Sequence, residues 1–297
     1  MAQATLPAPP PTRVRSPRSR RVRKSRGVVL RVLIPLAWLL AALDVLILVW
    51  MLLSSLKSTR DMTLHPWALP QHWIWSNYHV AWVSAQFGQG LVNSLILVVG
   101  AGIGVIALSA PAAYALSRFG VRGSGAHMML FVIGLGIPVQ TMYIPLYVGF
   151  DHLHLINSIW GLMIIYIGSG IPYALFLLTA FFRSLPRELE EAGALDGASP
   201  FYVFWRIMLP LARSGLITIF VLQAIGLWSE TFFALVMLQT KTTLSLSLYN
   251  FMQAMQYTGN RYSVLFAGLM IIIAPLLVLY VMLGRRIIEG IAAGYSR

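Results

Sequence analysis

Charged residues are scarce in this sequence, and cysteine is absent. Only 10% of the 297 residues are Asp, Glu, Lys or Arg, whereas an ordinary soluble domain has about 25%. Because 58% of the residues are hydrophobic, the chain cannot cover a water-facing surface. The composition therefore excludes a soluble enzyme and a disordered protein and predicts a polytopic membrane protein. The lack of cysteine excludes disulfides, thiolate metal sites and a cysteine nucleophile.

The motifs of common nucleotide-binding and metal-dependent sites are also missing. None of the three lysines, Lys24, Lys57 and Lys241, follows a glycine, so there is no G-x-x-x-x-G-K-[ST] loop for ATP phosphates. Among the six histidines only His152 and His154 are near neighbours, and no H-E-x-x-H spacing occurs. We therefore expect no catalytic residue, cofactor or metal in this chain.

Six apolar segments each reach the roughly 20 residues that a helix needs to cross a bilayer. They predict an all-α integral membrane protein with a transmembrane domain at 32–284. A Pro- and Arg-rich tail at 1–31 precedes this domain and is expected to be disordered, and a short tail follows at 285–297. The six predicted spans lie at 32–54, 88–116, 126–149, 157–182, 215–239 and 263–284.

Positive charge is distributed unevenly between the two sides of the predicted membrane. If the N-terminus is cytoplasmic, 18 Lys and Arg residues fall on the cytoplasmic side and 4 on the other, in agreement with the positive-inside rule. Both termini and the 183–214 loop are therefore predicted to be cytoplasmic. The eight basic residues between Arg13 and Arg26 then act as a topogenic tail. Binding of this tail to anionic lipid or nucleic acid is the alternative, and we expect no nucleic-acid partner.

Two acidic residues, Asp44 and Glu230, fall within predicted spans. A carboxylate in hydrocarbon is costly, so it usually faces a cavity or a partner. Either residue could serve a proton-coupled carrier. The structural alternative is a helix–helix hydrogen bond or a place near the interface, and we favour this alternative.

The 183–214 loop has the pattern of two short helices joined by a tight turn. Gly197 can end the first helix because glycine tolerates a left-handed backbone, and Ser199 can cap the second. The other start and stop signals are Ser184 as the first cap, Pro186 in the first turn, Pro200 at the start of the second helix and Pro210 at its end.

The second helix of this loop carries an apolar face. Phe201, Phe204, Trp205 and Met208 recur at i, i+3, i+4 and i+7, the spacing of one helical face. A solvated loop would not need four large apolar residues in register. This face is therefore expected to dock, either on the chain's own membrane helices or on a cytoplasmic partner.

The same loop resembles the EAA loop of ABC importer inner-membrane permeases. That pattern reads E-A-A, three residues, G, nine residues, then I-x-L-P. This chain has Glu191-Ala192-Gly193, then Gly197, then Ile207-Met208-Leu209-Pro210. Gly193 replaces the second alanine and is expected to loosen the first helix by about 1 kcal/mol.

The resemblance extends from about residue 45 to the C-terminus, and it points to carbohydrate permeases of the maltose type. The matching elements follow one another in the family's order. They are Ser55-Leu56-Lys57, Asn77-Tyr78, Ala113-Tyr114-Ala115 with Arg118, Ile137-Pro138-Val139-Gln140 with Ile144-Pro145-Leu146, Asn157 with Gly161-Leu162, Trp228-Ser229-Glu230, and Arg285-Arg286 with Gly290 and Gly294.

This resemblance implies a type I ABC importer permease in a bacterial or archaeal cytoplasmic membrane. The imported solute would be a sugar, an oligosaccharide or a related polyol. The implied partners are a second homologous permease subunit, two cytoplasmic ABC ATPase subunits that bind ATP and magnesium, an extracytoplasmic solute-binding protein and the lipid membrane. A permease for another solute class, such as amino acids or polyamines, and a proton-coupled carrier are the two alternatives.

The translocation-path candidates are Asp44 and Glu230, because both acids fall within predicted spans, together with Gln140. The resemblance also implies which residues couple the permease to the ATPase. The loop that couples the permease to the ATPase would use Glu190, Glu191, Ala192, Gly193, Asp196, Gly197, Phe201, Phe204, Trp205, Met208, Leu209 and Pro210.

Overall fold

The computed structural model describes residues 19–120, 122–258 and 261–295, and every regular element within these ranges is a helix. The chain divides into two units, residues 1–51 and residues 52–297. The all-α prediction is confirmed for the described residues.

The described part of the first unit lies within helix α1, which runs over Ser19–Ser55. Residues 19–31, which belong to the tail that the sequence predicts to be disordered, are helical in this structure. Residues 1–18 of that tail lie outside the described residues. Arg, Lys and Val are compatible with an α-helix, so the helix of the apolar stretch extends into the basic stretch that precedes it. The stretch Leu33–Ser55 is long and apolar enough to cross a membrane. Asp44 lies at the midpoint of this stretch, and its side chain is exposed.

In the second unit, three further helices are long and apolar enough to cross a membrane. The last of them continues well past residue 284, so the described part of the predicted 285–297 tail is helical. These helices are α4 (Phe87–Arg118), α7 (Ile159–Ser184) and α14 (Tyr262–Tyr295); short helices α2 (Thr59–Leu64) and α3 (Ser76–Ser84) precede them.

The third predicted span, 126–149, is not one straight helix. Helix α5 (Ser124–Gly136) ends at an extended residue, Ile137, and a 3₁₀ turn at Val139–Met142 leads into α6 (Tyr143–His152). The two arms are bent by 91°. Pro138 accounts for the break, because proline lacks an N–H and disfavours the helical conformation in the residue before it.

The fifth predicted span, 215–239, is also broken. Helix α11 ends at Ser229, and the next helix, α12, begins at Phe232 after the two irregular residues Glu230 and Thr231. The elements of this region are α8 (Glu188–Leu195), α9 (Pro200–Val203), a π-helical turn (Phe204–Met208), α10 (Leu209–Leu211), α11 (Arg213–Ser229), α12 (Phe232–Met237) and α13 (Leu244–Thr258).

Helices α4 and α7 run parallel and form the tightest pair in the second unit. A Cβ atom on Gly100 would lie 2.5 Å from the Met163 side chain, and one on Gly104 would lie 2.6 Å from that of Ile167. The G-x-x-x-G pair therefore lets two helices approach closely, as small residues do in membranes. Helix α11 packs across this pair, where the side chain of Gln223 donates to the carbonyl of Gly170 at 3.1 Å.

Candidate functional site

The tight turn predicted in the 183–214 loop is present. Gly197 has φ +78°, a conformation that costs a residue with a β-carbon about 1 kcal/mol or more. The Ser199 side chain accepts a hydrogen bond from the Tyr202 N–H at 3.3 Å, so it caps α9 as predicted. Ser184 does not cap α8: it is the last residue of α7, and its hydroxyl donates to the Phe181 carbonyl at 2.7 Å.

Pro210 does not end the second helix of the loop, contrary to the prediction. The backbone N–H of Leu209 donates to the carbonyl of Phe204, an i to i−5 bond that makes one wide π-helical turn before the proline. This wider turn accommodates a residue without an N–H. The helix ends two residues after the proline, at Ala212, where the chain bends by 69° into α11.

The apolar face of the second helix is divided between two environments. Phe204 and Met208 are buried in a cluster that includes Tyr114 and Phe182 of the membrane helices. Phe201 and Trp205 are 73% and 50% exposed. Two of the side chains therefore dock on the chain's own helices, whereas two stay exposed, and their docking on a cytoplasmic partner stays a prediction.

The exposed part of the loop, which we call the loop tip, is more apolar than the sequence indicated. Leu195 at the end of α8 is 89% exposed, and it stands on the same turn as exposed Asp196 and Gly197. Phe201 and Trp205 complete the loop tip. Leu195 could have been found from the sequence, because it is the one large apolar side chain directly before the turn.

An apolar groove of about 490 Å³ adjoins the loop tip. Phe201 and Trp205 line one wall, and Pro111, Tyr114 and Phe119 from the end of α4 line the other. Sequence reasoning missed this groove, because its two walls are about 90 residues apart in the chain.

Arg118 connects the base of the loop to the membrane helices. Its guanidinium donates to the carbonyls of Phe182 and Leu185, both at 2.6 Å, and its Nε lies 3.0 Å from Glu190 Oε1. The side chain of Arg118 is 3% exposed and that of Glu190 is 20% exposed. One buried cation thus ties α4 to the end of α7 and to α8.

The contact between Arg118 Nε and Glu190 Oε1 is an ion pair of poor geometry. Neither atom makes a hydrogen bond within the part of the chain that the structure describes. Burial raises the pKa of Glu190 above its ordinary value, and attraction to Arg118 and Arg187 offsets this only in part. The carbonyl contacts of Arg118, rather than the ion pair, are therefore its strong contacts.

The residues that match the E-A-G triad do not share one environment. Glu191 and Ala192 are exposed, whereas Gly193 is buried. A Cβ on Gly193 would lie 3.2 Å from Val203 and 3.3 Å from Ile207. The glycine therefore does more than loosen α8, since it also lets the two loop helices pack closely. Leu209 is half-buried and Pro210 is exposed.

The translocation-path candidate Glu230 lies at the break between α11 and α12. Its carboxylate accepts the Tyr166 hydroxyl at 2.5 Å, the Phe233 N–H at 2.8 Å and the Ala234 N–H at 3.4 Å. A carboxylate held by three donors caps the following helix, which agrees with the structural reading of this residue. Gln140 lies at the other break, in the 3₁₀ turn after Pro138, and its side chain is exposed.

Two elements of the sequence resemblance also come together at the opposite end of the second unit. The Asn77 side chain donates to the carbonyls of Ser55 and Lys57 at 2.8 and 2.9 Å, and the hydroxyls of Ser55 and Tyr78 lie 2.8 Å apart. Lys57 is buried, and its Nζ donates to the carbonyls of His65 and Pro66 at 3.1 and 2.9 Å. Burial lowers the pKa of Lys57, and attraction to Asp61 opposes this shift.

Asn157 joins two further segments at this end. Its side-chain oxygen accepts the backbone N–H groups of Gln239, Thr240 and Lys241 at 3.0–3.2 Å. Asn157 has φ +56°, a conformation that asparagine adopts more readily than most residues. Within the described residues, no group of three or more His, Asp or Glu side chains could hold a metal ion.

Comparison with known proteins gives three concordant findings. The family described as "Binding-protein-dependent transport system inner membrane component" matches residues 100–289. The diacetylchitobiose uptake system permease protein NgcG of Streptomyces coelicolor is 34% identical over 252 residues, which cover 84% of this chain and 83% of that protein. The probable ABC transporter permease protein YurM of Bacillus subtilis is 35% identical over 252 residues, which cover 83% and 82%.

The fold is also found among solved structures. A chain of a bacterial ABC transporter involved in the import of the acidic polysaccharide alginate superposes with a TM-score of 0.71 at 23% identity, and the match covers 91% of this chain and 99% of that chain.

Proposed function

Because the chain belongs to the family of binding-protein-dependent transport system inner membrane components, we propose that it is the permease subunit of an ABC importer for a sugar, an oligosaccharide or a related polyol. It is a multi-pass inner-membrane protein. Its relatives include a diacetylchitobiose uptake permease that is similar over 84% of this chain, which supports a carbohydrate as the solute.

The loop over residues 183–214 couples this subunit to a cytoplasmic ATPase. The main observation that supports this role is that the apolar face of the loop's second helix is partly buried and partly exposed. Phe204 and Met208 fix the loop to the membrane helices, while Phe201, Trp205 and Leu195 stay exposed. Exposed apolar patches on an otherwise fixed surface are typical of interaction sites. Glu191, which is exposed beside this patch, contacts the ATPase by charge.

The proposed complex contains a second homologous permease, two ATPase subunits and an extracytoplasmic solute-binding protein. In this arrangement both termini and the 183–214 loop face the cytoplasm, and residues 32–284 form the permease domain. ATP and magnesium are bound by the ATPase subunits, so this chain is expected neither to bind nor to hydrolyse ATP when purified alone. Nucleotide binding to the isolated chain at micromolar concentration would contradict this assignment.

Uptake into proteoliposomes that contain the complete complex tests the function. Labelled disaccharides, diacetylchitobiose among them, should enter only with internal ATP and the binding protein. Uptake of amino acids or polyamines instead would support the alternative ABC permease.

A proton-coupled carrier is the second alternative, and it makes a different prediction. Asp44→Asn and Glu230→Gln should leave uptake dependent on ATP and insensitive to a protonophore, because the Glu230 carboxylate is held by three hydrogen-bond donors. If a protonophore stops uptake in the wild type while ATP remains saturating, the ABC assignment is wrong.

A further inference from the structure

The third and fifth predicted spans of the chain, both of which lie in the second unit, are broken at membrane depth, and the two breaks are in contact. Helix α5 has 13 residues, or about 20 Å at 1.5 Å per residue, which is shorter than the hydrocarbon core of about 30 Å. Helix α11 has 17 residues, or about 25 Å. The helices that follow the breaks begin at Tyr143 and near Phe232, and these two rings stack with centroids 6.4 Å apart and planes 25° apart.

A break at this depth restricts what can lie beside it. Irregular backbone inside the hydrocarbon core is not exposed to lipid, because its N–H and C=O groups would lack partners. Such segments are covered by protein or line a water-filled cavity. The irregular residues Glu230 and Thr231, and the turn that contains Gln140, therefore face the transport path or a partner that encloses it.

Two adjacent phenylalanines at the fifth-span break have opposite environments. Phe233 is 5% exposed and packs edge-on against Tyr143, with centroids 4.9 Å apart. Phe232 is 58% exposed, although its ring stacks on that of Tyr143 with centroids 6.4 Å apart. Phe233 accounts for the packing of α12 on α6, so packing does not require the exposed ring of Phe232.

The position of Phe232 is fixed by its neighbours. The Glu230 carboxylate binds the N–H groups of Phe233 and Ala234, and the Ser245 hydroxyl donates to the Glu230 carbonyl at 2.5 Å. Backbone on both sides of Phe232 is thus held by hydrogen bonds. A ring that is held in place loses little freedom when a ligand covers it.

We infer that the exposed ring of Phe232, backed by Tyr143, is the surface on which this subunit holds a sugar ring of the transported carbohydrate. A pyranose has one face made mainly of C–H groups and a rim of hydroxyls. The C–H face packs on an aromatic ring, and the hydroxyls need polar groups close by. The exposed amide of Gln140 and the backbone groups of the two breaks supply them. This inference rests on the proposed function, and it assigns this subunit a direct contact with the solute.

The test is the concentration dependence of carbohydrate uptake by the reconstituted complex. Phe232→Ala should raise the KM for uptake about 2- to 10-fold, the loss expected for one aromatic contact. Phe232→Trp should keep a low KM because it keeps a flat ring. Phe232→Leu should resemble the alanine variant, because it keeps apolar volume without a flat face. The matched control is Phe176→Ala, which removes an exposed ring from α7 and should leave the KM unchanged.

The outcomes separate the inference from the function on which it rests. If the wild type transports carbohydrate and Phe232→Ala has the same KM, the inference is wrong. It is equally wrong if Phe232→Leu restores the wild-type KM, since apolar volume would then suffice. If Phe232→Ala fails to assemble, Phe232→Leu against Phe232→Trp decides the question. A wild-type complex that transports no carbohydrate refutes the proposed function instead.

Glu230 enters the test as a positioning residue. Glu230→Gln should raise the KM by less than Phe232→Ala does, and it should add no further increase in a chain that already carries Phe232→Ala. Two changes that act through the same ring are not additive, whereas two independent structural losses would multiply.

Discussion

Arg118 is expected to stabilise the loop base through its two carbonyl contacts more than through its ion pair with Glu190. The perturbation that separates these contributions is Arg118→Leu compared with Glu190→Gln. The first removes the donors to the Phe182 and Leu185 carbonyls and leaves the Glu190 carboxylate without its cation. The second removes only the negative charge and keeps the size of the side chain.

The expected magnitudes differ clearly. Hydrogen bonds from a charged donor contribute about 1.5–3 kcal/mol each, and removing one partner of a buried pair costs about 3–5 kcal/mol. Arg118 is 3% exposed, so Arg118→Leu falls in this range. Glu190→Gln should cost about 1 kcal/mol or less, because Arg118 keeps both carbonyls and the amide carries no charge to desolvate.

The assay is the thermal unfolding midpoint of the detergent-solubilised complex. Arg122→Leu is the matched control, because Arg122 is an exposed arginine four residues further along. The double variant Arg118→Leu with Glu190→Gln should be more stable than Arg118→Leu alone, since it no longer has an unpaired carboxylate. Equal losses from Arg118→Leu and Glu190→Gln would refute this reasoning and make the ion pair the main contact.

The pH dependence of the same midpoint gives a second check. Because the folded-state pKa of Glu190 is raised above its ordinary value of 4.5, the folded state binds this proton more tightly than the unfolded state. The contribution of Glu190 to stability is therefore full below 4.5 and is lost as the pH rises through the raised pKa. The thermal unfolding midpoint of the wild type minus that of Glu190→Gln should therefore decrease as the pH increases above 4.5.

Three further predictions concern the turn, the topology and the helix packing. Gly197→Val should insert into the membrane normally but lose ATPase co-purification, because the backbone φ of +78° at this position disfavours valine. Glu191→Lys should weaken ATPase co-purification more mildly. If Gly197→Val binds the ATPase as the wild type does, the loop is not the coupling element. In this cysteine-free chain, Gly197→Cys should react with an impermeant thiol reagent only from the cytoplasmic side, and labelling from outside would reverse the topology. Gly161→Ala should destabilise the complex by about 1–3 kcal/mol, because the new Cβ would overlap the Leu155 carbonyl. Gly168→Ala is the control, because a Cβ at that position meets open space. Equal thermal unfolding midpoints for the two variants would refute the packing argument.

Features that depend on neighbours in the sequence were predictable. Ser199 caps a helix, and Gly197 reverses the chain, because both effects arise within about four residues. The G-x-x-x-G spacing of Gly100 and Gly104 is a local signal of the same kind, since close helix packing needs only small residues at helical spacing.

Features that depend on contacts between distant segments were not predictable. The carbonyls that Arg118 binds are 64 and 67 residues away along the chain, and no local pattern marks them. The division of the apolar face has the same cause, because the helical spacing of Phe201, Phe204 and Trp205 is identical whether the partner is Tyr114 or another protein.

The helix breaks show an intermediate case. Pro138 is a visible signal, yet an apolar run of sufficient length outweighed it in the prediction of a single span at 126–149. The break at Glu230 has no such signal, because glutamate is not a favoured cap and its capping role requires the hydroxyl of Tyr166 on α7. Length and hydropathy therefore locate a span but do not establish that it is a continuous helix.

Helix α7 links the two surfaces that the second unit leaves open. Near the end of α7 the carbonyl of Phe182 accepts a hydrogen bond from Arg118 at the base of the loop. Sixteen residues earlier, Tyr166 donates to Glu230 beside Phe232. This separation corresponds to about 24 Å of helix. The close contact of α7 with α4 at Gly100 and Gly104 restricts bending of the pair. A displacement of the loop base is therefore expected to reach the break at Glu230 mainly as a rigid movement of α4 and α7, so we expect the 183–214 loop and the proposed carbohydrate surface to move together.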